Sequence, residues 1–184
     1  DWLTEQLAKA PDAAVPLVRG EAAVLPLRGE RLPLRWAEGR VARLVRDDAG
    51  LAMQLPARAG DAAIGRALRD FYEAEARADV GRWLPAYLPG LPRPPSRIRL
   101  RVLSSQWGSL APDGTLSLDL ALVLGRPSAF EYVLVHELCH LIRADHSRAF
   151  WREVEARCPD WRAARDYFRD DGRRLKADLH ALLA

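Results

Sequence analysis

Residues 127–146 have the sequence PSAFEYVLVHELCHLIRADH, and this stretch gives the most specific prediction about the fold. Two histidines in it, His136 and His140, stand four residues apart, and Glu137 directly follows the first. Side chains at positions i and i+4 of an α-helix lie on one face, about one turn apart. We therefore expect both imidazoles to reach one metal ion, with the carboxylate of Glu137 beside that ion but not bound to it.

The residues before the histidines predict the helix that this motif requires. Ser128 is followed three residues later by Glu131, which is the pattern of a capping box. In a capping box the serine oxygen accepts the N–H of the glutamate, and the glutamate side chain reaches back to the N–H of the serine. The pattern predicts a helix that begins near Ser128 and carries both histidines.

A third metal ligand is expected because catalytic zinc has three protein ligands and an open fourth position. His146 follows His140 by six residues, a spacing shared with metzincin proteases, and we favour it as the third ligand. The chain lacks the glycine that those enzymes have at the position of Arg143, and its single methionine, Met53, lies far upstream of their Met-turn position. Three carboxylates downstream remain alternative third ligands: Glu153, Glu155 and Asp160.

The expected cofactor is one Zn²⁺ per chain, and the expected chemistry is hydrolysis by a metal-activated water. Zinc lowers the pKa of a bound water to about 7. Glu137 is expected to accept the proton of that water as a general base and to pass a proton to the leaving group. No spacing argument identifies a group that stabilises the negative charge on the substrate oxygen. The candidates are four side chains: Tyr132, Arg143, Tyr167 and His180.

The flanking sequence predicts two parts joined by a stiff segment. Residues 15–57 are predicted to form short strands, including a β-hairpin that turns at Asp47-Asp48-Ala49-Gly50, and residues 61–84 to form a helix. The proline-rich segment 89–96 is expected to be a linker. We expect an N-terminal β-rich lobe plus helix over residues 1–88, packed on a catalytic core over residues 97–184.

Within that core, strands are predicted at 97–104 and 116–122, because apolar residues alternate along the second of these segments. Two helices are predicted after the histidine motif, at 147–158 and 160–183, and the second is expected to be interrupted near Gly172. Both helices follow a residue that favours the N-cap position, Ser147 and Asp160.

Length and composition exclude several classes of protein. The chain has 184 residues, enough for one domain or one domain plus a smaller lobe. No run approaches the roughly 18 apolar residues that a membrane span needs. The two cysteines, Cys139 and Cys158, cannot form a disulfide scaffold, and we expect a reduced, cytoplasmic chain. The net charge is only +3 and the basic residues are spread out, which does not favour nucleic-acid binding.

Five motifs together resemble the YgjP-like metallopeptidase domain, which is related to the SprT-like and WLM peptidases. The motifs are Trp107-Gly108-Ser109, Leu116-Ser117-Leu118, the histidine motif, His146-Ser147 with Phe150-Trp151, and Pro159-Asp160-Trp161. The resemblance is dense over residues 104–168 and looser over 15–100. It implies an α+β, zincin-like fold: an N-terminal β-rich lobe, a mixed sheet with the active-site helix, and C-terminal helices. It also implies a zinc-dependent hydrolase site and supports His146 as the third ligand.

The resemblance further implies how substrate is bound. The strand at 116–123 is expected to lie beside the active-site cleft and to pair with an extended peptide by β-augmentation. The chain departs from the family pattern at four positions near this cleft. Gln106 and Leu110 stand where we expect Arg and Cys, and Asp119 and Asp145 stand where we expect Asn. The pocket beside the metal is therefore expected to differ from that of the family.

The leading hypothesis is a cytoplasmic zinc metallopeptidase that acts on a peptide or protein substrate. A second is a metal-dependent hydrolase of a small anionic substrate, such as a nucleotide phosphoanhydride. That substrate needs arginines near the metal, and the candidates are Arg101, Arg143 and Arg148. A third is a binding module that keeps the metal for folding. A fourth is a DNA-associated protease of the SprT-like kind, which predicts steeply salt-dependent DNA binding, although no separate DNA-binding motif is visible.

Overall fold

The computed structural model describes residues 15–184, so the first 14 residues of the predicted N-terminal lobe lie outside the described part. Residues 15–184 form two mixed β-sheets and four α-helices, which confirms the predicted α+β class. Among these residues, no helix combines the length and the apolar character that a bilayer span requires.

The N-terminal sheet contains four strands in the order β1-β2-β4-β3. Their bounds are Ala23–Leu27 for β1, Glu30–Glu38 for β2, Arg43–Asp47 for β3 and Gly50–Leu55 for β4. The predicted hairpin joins β3 to β4, and the Asp47 carboxylate accepts the N–H of Ala49 at 2.9 Å in its turn. Gly50 has a φ of 120° and lies against Pro33, where a Cβ would be 2.7 Å from the carbonyl oxygen, so this position requires glycine.

Helix α1 (Asp61–Tyr87) begins where the sequence predicts and ends three residues later. The turn between β1 and β2 contacts both this helix and the segment before the histidine motif. The backbone N–H groups of Arg28 and Gly29 donate to the carbonyls of Val123 and Leu124 at 2.8 and 2.9 Å. The guanidinium of Arg28 also pairs with the buried carboxylate of Asp79 on α1 at 2.9 Å. The N-terminal sheet therefore contacts directly the chain that leads into the site.

The second sheet has three strands in the order β5-β7-β6. They are β5 (Arg97–Arg101), β6 (Gly108–Leu110) and β7 (Thr115–Asp119). Strand β7 is shorter than predicted, because the Asp119 side chain accepts the N–H of Ala121 at 2.9 Å and the chain turns into the 3-10 helix Leu120–Leu124. The alternating leucines continue into this helix, where every residue is buried.

The position of β7 contradicts the predicted mode of peptide binding. Strand β7 pairs with β5 on one side in parallel and with β6 on the other side antiparallel. Both of its edges are therefore already hydrogen-bonded, and the strand predicted at 116–123 cannot accept an added peptide strand. Within the sheet as described, only β5 and β6 have a free edge.

The remaining helices are α2 (Pro127–Cys139), α3 (Arg148–Arg157) and α4 (Trp161–Leu183). The predicted capping box does not form. Helix α2 has Arg126 at its N-cap and Pro127 at its first position, and no side chain caps it. The carboxylate of Glu131 instead accepts the hydroxyl of Tyr87 at 2.6 Å. The helix was thus predicted correctly, but proline at its first position, where no N–H is needed, marks its start.

The predicted N-caps of α3 and α4 differ in outcome. The Ser147 hydroxyl accepts the N–H of Phe150 at 3.4 Å, as predicted, whereas Asp160 occupies the N-cap of α4 without a side-chain bond. The predicted interruption of α4 near Gly172 is wrong, since the helix is continuous through it. A Cβ at Gly172 would lie 3.0 Å from the Trp107 ring, so this glycine permits close packing and does not break the helix.

Candidate metal centre

Helix α2 and the loop after it bring three imidazoles together. His136 lies in the last turn of α2, His140 is its C-cap, and His146 lies in the loop that leads to α3. One ligand atom of each histidine lies within 4.8 Å of the others. Within residues 15–184, no other set of three or more His, Cys, Asp or Glu side chains converges in this way.

The spacing of the nitrogens fits a tetrahedral metal. The Nε2 atoms of His136 and His146 are 3.3 Å apart. Zn–N bonds of about 2.0–2.1 Å at tetrahedral angles place two nitrogens about 3.3–3.4 Å apart. A set of three nitrogen donors is also one of the donor sets that catalytic zinc uses, so the residues present fit a zinc ion.

Neighbouring groups fix the orientation of two of the rings. The Nδ1 atom of His140 lies 3.0 Å from the carbonyl oxygen of Arg143. A carbonyl only accepts, so Nδ1 carries the hydrogen and the lone pair of Nε2 is left for a metal. The hydroxyl of Tyr132 lies 3.3 Å from Nδ1 of His136, so Nε2 of this ring also faces the other imidazoles. The Asp145 side chain stabilises the loop and does not orient a ring. Its carboxylate accepts the N–H of Ser147 at 3.2 Å.

Burial keeps the imidazoles of His136 and His140 in the neutral form that a metal requires. Burial lowers the pKa of His136 to about 4, and the neighbouring imidazoles contribute to the same shift. Burial also lowers the pKa of His140. Both rings are therefore unprotonated near pH 7, the state in which a ring nitrogen can bind a metal ion.

Aromatic rings surround the three histidines. Phe150, fully buried at the start of α3, stacks on His140 with ring centroids 4.5 Å apart and meets His136 and His146 edge-on at 5.0 and 4.9 Å. Trp151 stacks on Trp161 at 4.5 Å and also meets His136 at 5.7 Å. Because buried rings interlock in few arrangements, this packing fixes the loop that carries His146.

Among residues 15–184, Glu137 is the one carboxylate that lines the cavity beside the histidines. The cavity has a volume of about 360 Å³ and is formed by residues 105–108, by α2 and by α4. Only 8% of Glu137 is exposed, and burial raises the pKa of its carboxyl to about 7. Strand β6 lies against this side chain: a Cβ at Gly108 would be 2.9 Å from Cγ of Glu137.

All but one of the other predicted site residues lie outside the cavity and the histidine group. Glu153 pairs with Arg157 at 2.7 Å and Glu155 with Arg162 at 3.0 Å. Neither these carboxylates nor Asp160 belongs to the converging group. Among the four candidates for stabilising the substrate oxygen, Tyr132 lines the cavity. The others, and the three arginines considered for a phosphate substrate, do not line it: Tyr167, His180, Arg101, Arg143 and Arg148.

Helix α4 contributes side chains that the sequence analysis missed. Phe168 packs on Trp107 with ring centroids 4.7 Å apart, and the Nζ atom of Lys176 lies 4.4 Å from the Trp107 ring. Lys176 donates to the carbonyls of Leu103 and Gln106 at 2.9 and 3.0 Å and pairs with the buried carboxylate of Asp119. These contacts fix the segment that forms one wall of the cavity.

The only signal of this role in the sequence is spacing. Arg165, Phe168, Gly172 and Lys176 recur at intervals of three or four and so share one face of a helix. Two of the departures from the family pattern, Gln106 and Asp119, contact Lys176. These two altered positions are therefore partners of a single lysine.

The chain matches one protein-family model and resembles a solved metallopeptidase structure. The family model described as "YgjP-like, metallopeptidase domain" matches residues 1–171. No curated protein matches the chain. The crystal structure of the metallopeptidase zymogen of Pyrococcus abyssi abylysin is 28% identical, with a TM-score of 0.39 over 55% of this chain and 93% of that chain.

Proposed function

Because the chain belongs to the YgjP-like metallopeptidase domain family, as its motifs predict, we propose that it is a zinc-dependent peptidase. The family supports a metal-dependent hydrolase that acts on peptides. Zinc as the metal and the roles of individual residues are our proposal. The observation that carries it is the convergence of the three imidazoles beside one buried carboxylate that lines a cavity.

We assign the metal to His136, His140 and His146, each through one ring nitrogen. Zinc, when bound there, supplies a Lewis acid that polarises the scissile carbonyl and acidifies water. The chain keeps the first two rings neutral by burial and fixes their direction through Tyr132 and the Arg143 carbonyl. The three ligands leave one tetrahedral position for water or substrate, which favours a catalytic over a structural site.

Glu137 is the proposed general base. Its carboxylate accepts a proton from the attacking water and later passes a proton to the leaving amine. Its burial supports this role, because a base with a pKa near 7 both accepts and releases a proton readily near neutral pH. The neighbouring strand β6 confines the side chain on the cavity side of α2.

Strand β6 is the proposed place for the peptide backbone. Within the described sheet, β6 pairs only with β7 and leaves its other edge free, and it lies directly against Glu137. An extended peptide that adds to this edge runs beside the cavity and gains main-chain hydrogen bonds. An extended substrate fits this edge better than a compact one does, which favours a peptide.

The proposal is tested by metal removal and replacement. We expect the purified chain to cleave an unfolded protein, to lose this activity after treatment with a chelator, and to recover it with about one equivalent of zinc. Mass spectrometry of the fragments identifies new N-termini and so distinguishes peptide hydrolysis from other chemistry. Equal cleavage by the chelated and the zinc-loaded chain would refute a metal-dependent site.

The packing of β6 on Glu137 gives a second prediction. Gly108→Ala places a methyl group 2.9 Å from Cγ of Glu137 and 3.2 Å from the Ser117 carbonyl, so either the strand or the carboxylate must move. Displacement of a reacting group by about 1 Å costs about 10²-fold in rate, and we expect a loss of that order in kcat/KM. Zinc content should not change, because the atoms nearest to the added methyl group belong to Glu137 and Ser117.

Gly81→Ala is the matched control, since a Cβ at this position on α1 meets nothing within 4 Å. We expect this variant to hydrolyse peptides at the wild-type rate and to be at least as stable, because alanine favours a helix over glycine by about 1 kcal/mol. A Gly108→Ala variant as active as the control would show that β6 does not confine Glu137.

A further inference from the structure

Arg165 on α4 lines the same cavity as His136 and Glu137. Its guanidinium lies over two indole rings, 5.4 Å from the centroid of Trp151 and 5.6 Å from that of Trp161. The guanidinium carbon therefore lies over the aromatic rings that pack against the loop carrying His146. Phe168, about one turn further along α4, lines the same cavity.

Among residues 15–184, Arg165 forms no ion pair, whereas three other arginines of α4 do. Arg162 pairs with Glu155 at 3.0 Å, Arg169 with Asp166 at 2.9 Å and Arg174 with Asp171 at 2.7 Å. Arg165 and Glu137 line the same cavity, but no ion pair joins them within the described residues. The cavity thus contains a guanidinium without an anionic partner.

The guanidinium of Arg165 belongs to the same cavity as His136 and Glu137, so its positive charge lies at the proposed site. Within the part of the chain that the structure describes, Glu137 is the only acidic residue that lines the cavity, so a bound metal and Arg165 together make the cavity cationic.

We propose that Arg165 binds a carboxylate of the substrate, so that the site selects peptides with an anionic group close to the scissile bond. This inference rests on the proposed function. A guanidinium matches a carboxylate through two parallel N–H···O bonds. Contact with Trp151 and Trp161 limits the orientations of the arginine before substrate arrives, which reduces the entropy lost on binding.

Two sources can supply this carboxylate: an Asp or Glu side chain, or the free C-terminus of the substrate. Three matched peptides separate them. The first contains one Glu and has an amidated C-terminus, the second has Gln in place of Glu and the same amide, and the third has Gln and a free C-terminus. The peptides are otherwise identical, so differences in affinity report the carboxylate and its location.

The experiment measures binding and cleavage separately. Binding of each peptide is measured by calorimetry on the zinc-loaded chain carrying Glu137→Gln, which binds without turnover. Arg165 is exposed, and an ion pair at an exposed guanidinium favours the carboxylate peptide by about two- to fivefold in Kd. We expect this preference for the first or the third peptide over the second, and we expect it to vanish when Arg165→Gln is added.

Arg162→Gln is the matched control. Arg162 also lies on α4 and over Trp161, 4.2 Å from the ring centroid, but it does not line the cavity. The preference should survive this change. If Arg165→Gln does not fold, the proposal is still tested, since the Arg165-containing chain must itself prefer a carboxylate peptide and must lose that preference as salt rises.

Equal affinity for all three peptides in the Arg165-containing chain would overturn the inference, whether or not the wild type cleaves them. Cleavage by the wild type with no carboxylate preference would leave the peptidase proposal intact and refute the role of Arg165. A carboxylate preference that depends on Arg165, without any cleavage by the wild type, would support the binding site and refute the peptidase proposal.

Discussion

Glu137→Gln is expected to lower kcat/KM for peptide hydrolysis by about 10²- to 10⁴-fold, the usual contribution of a positioned general base. Glutamine has nearly the same shape as glutamate, so it fits the buried position beside Gly108. Its amide cannot accept a proton at the pH of the assay. The three imidazoles are untouched, so the variant should hold as much zinc as the wild type.

Glu131→Gln is the control for this change, because Glu131 lies on the same helix but contacts Tyr87 instead of the cavity. The glutamine oxygen at this position can still accept the Tyr87 hydroxyl, and we expect wild-type activity. Kinetics are measured on both variants at matched zinc content. Full activity in Glu137→Gln, or loss of its zinc together with its activity, would argue against a general base at this position.

The convergence of the three histidines could be predicted from the sequence. His136, Glu137 and His140 fall within five residues, and the geometry of one helix fixes how they face. His146 comes after a short loop, and its Nε2 atom lies 3.3 Å from Nε2 of His136. Such contacts depend on few residues, so a pattern of spacing is enough to predict them.

The strand order could not be predicted in the same way. Alternating leucines in β7 show that one face is buried, but they carry no information about which strands lie on either side. The sequence therefore predicted a peptide-binding edge where the structure has a central strand. The capping box failed for a related reason: Tyr87, 44 residues earlier in the chain, binds the carboxylate of Glu131.

Long-range contacts also explain why the wall of the cavity was missed. Lys176 bonds to residues 57 to 73 positions before it, from Leu103 to Asp119. Nothing near Lys176 in the sequence indicates these partners. The four departures from the family pattern were visible in the sequence, but only the structure shows that Gln106 and Asp119 share one lysine and that Asp145 bonds to Ser147.

The third ligand gives the prediction with the clearest all-or-none result. His146→Ala removes one of three nitrogen donors and leaves two, fewer than the three protein ligands of a catalytic zinc site. Burial of Phe150 and the cap at Ser147 hold the loop independently of the imidazole, so the variant should fold. We therefore expect it to lose most of its zinc and nearly all of its activity while its circular dichroism spectrum is retained.

His180→Ala is the matched control, because His180 is an exposed histidine near the C-terminal end of α4 and lies outside the converging group. The variant should hold as much zinc as the wild type. Comparing the two variants separates the loss of a ligand from the loss of any histidine.

Metal content measured by elemental mass spectrometry shows whether His136, His140 and His146 hold one zinc ion. The wild type and both histidine variants are supplied with zinc, and the excess is then removed. We expect about one zinc per chain in the wild type and in His180→Ala, and clearly less than one in His146→Ala. A wild type without zinc, or a His146→Ala variant that keeps the full equivalent, would contradict a three-histidine zinc site.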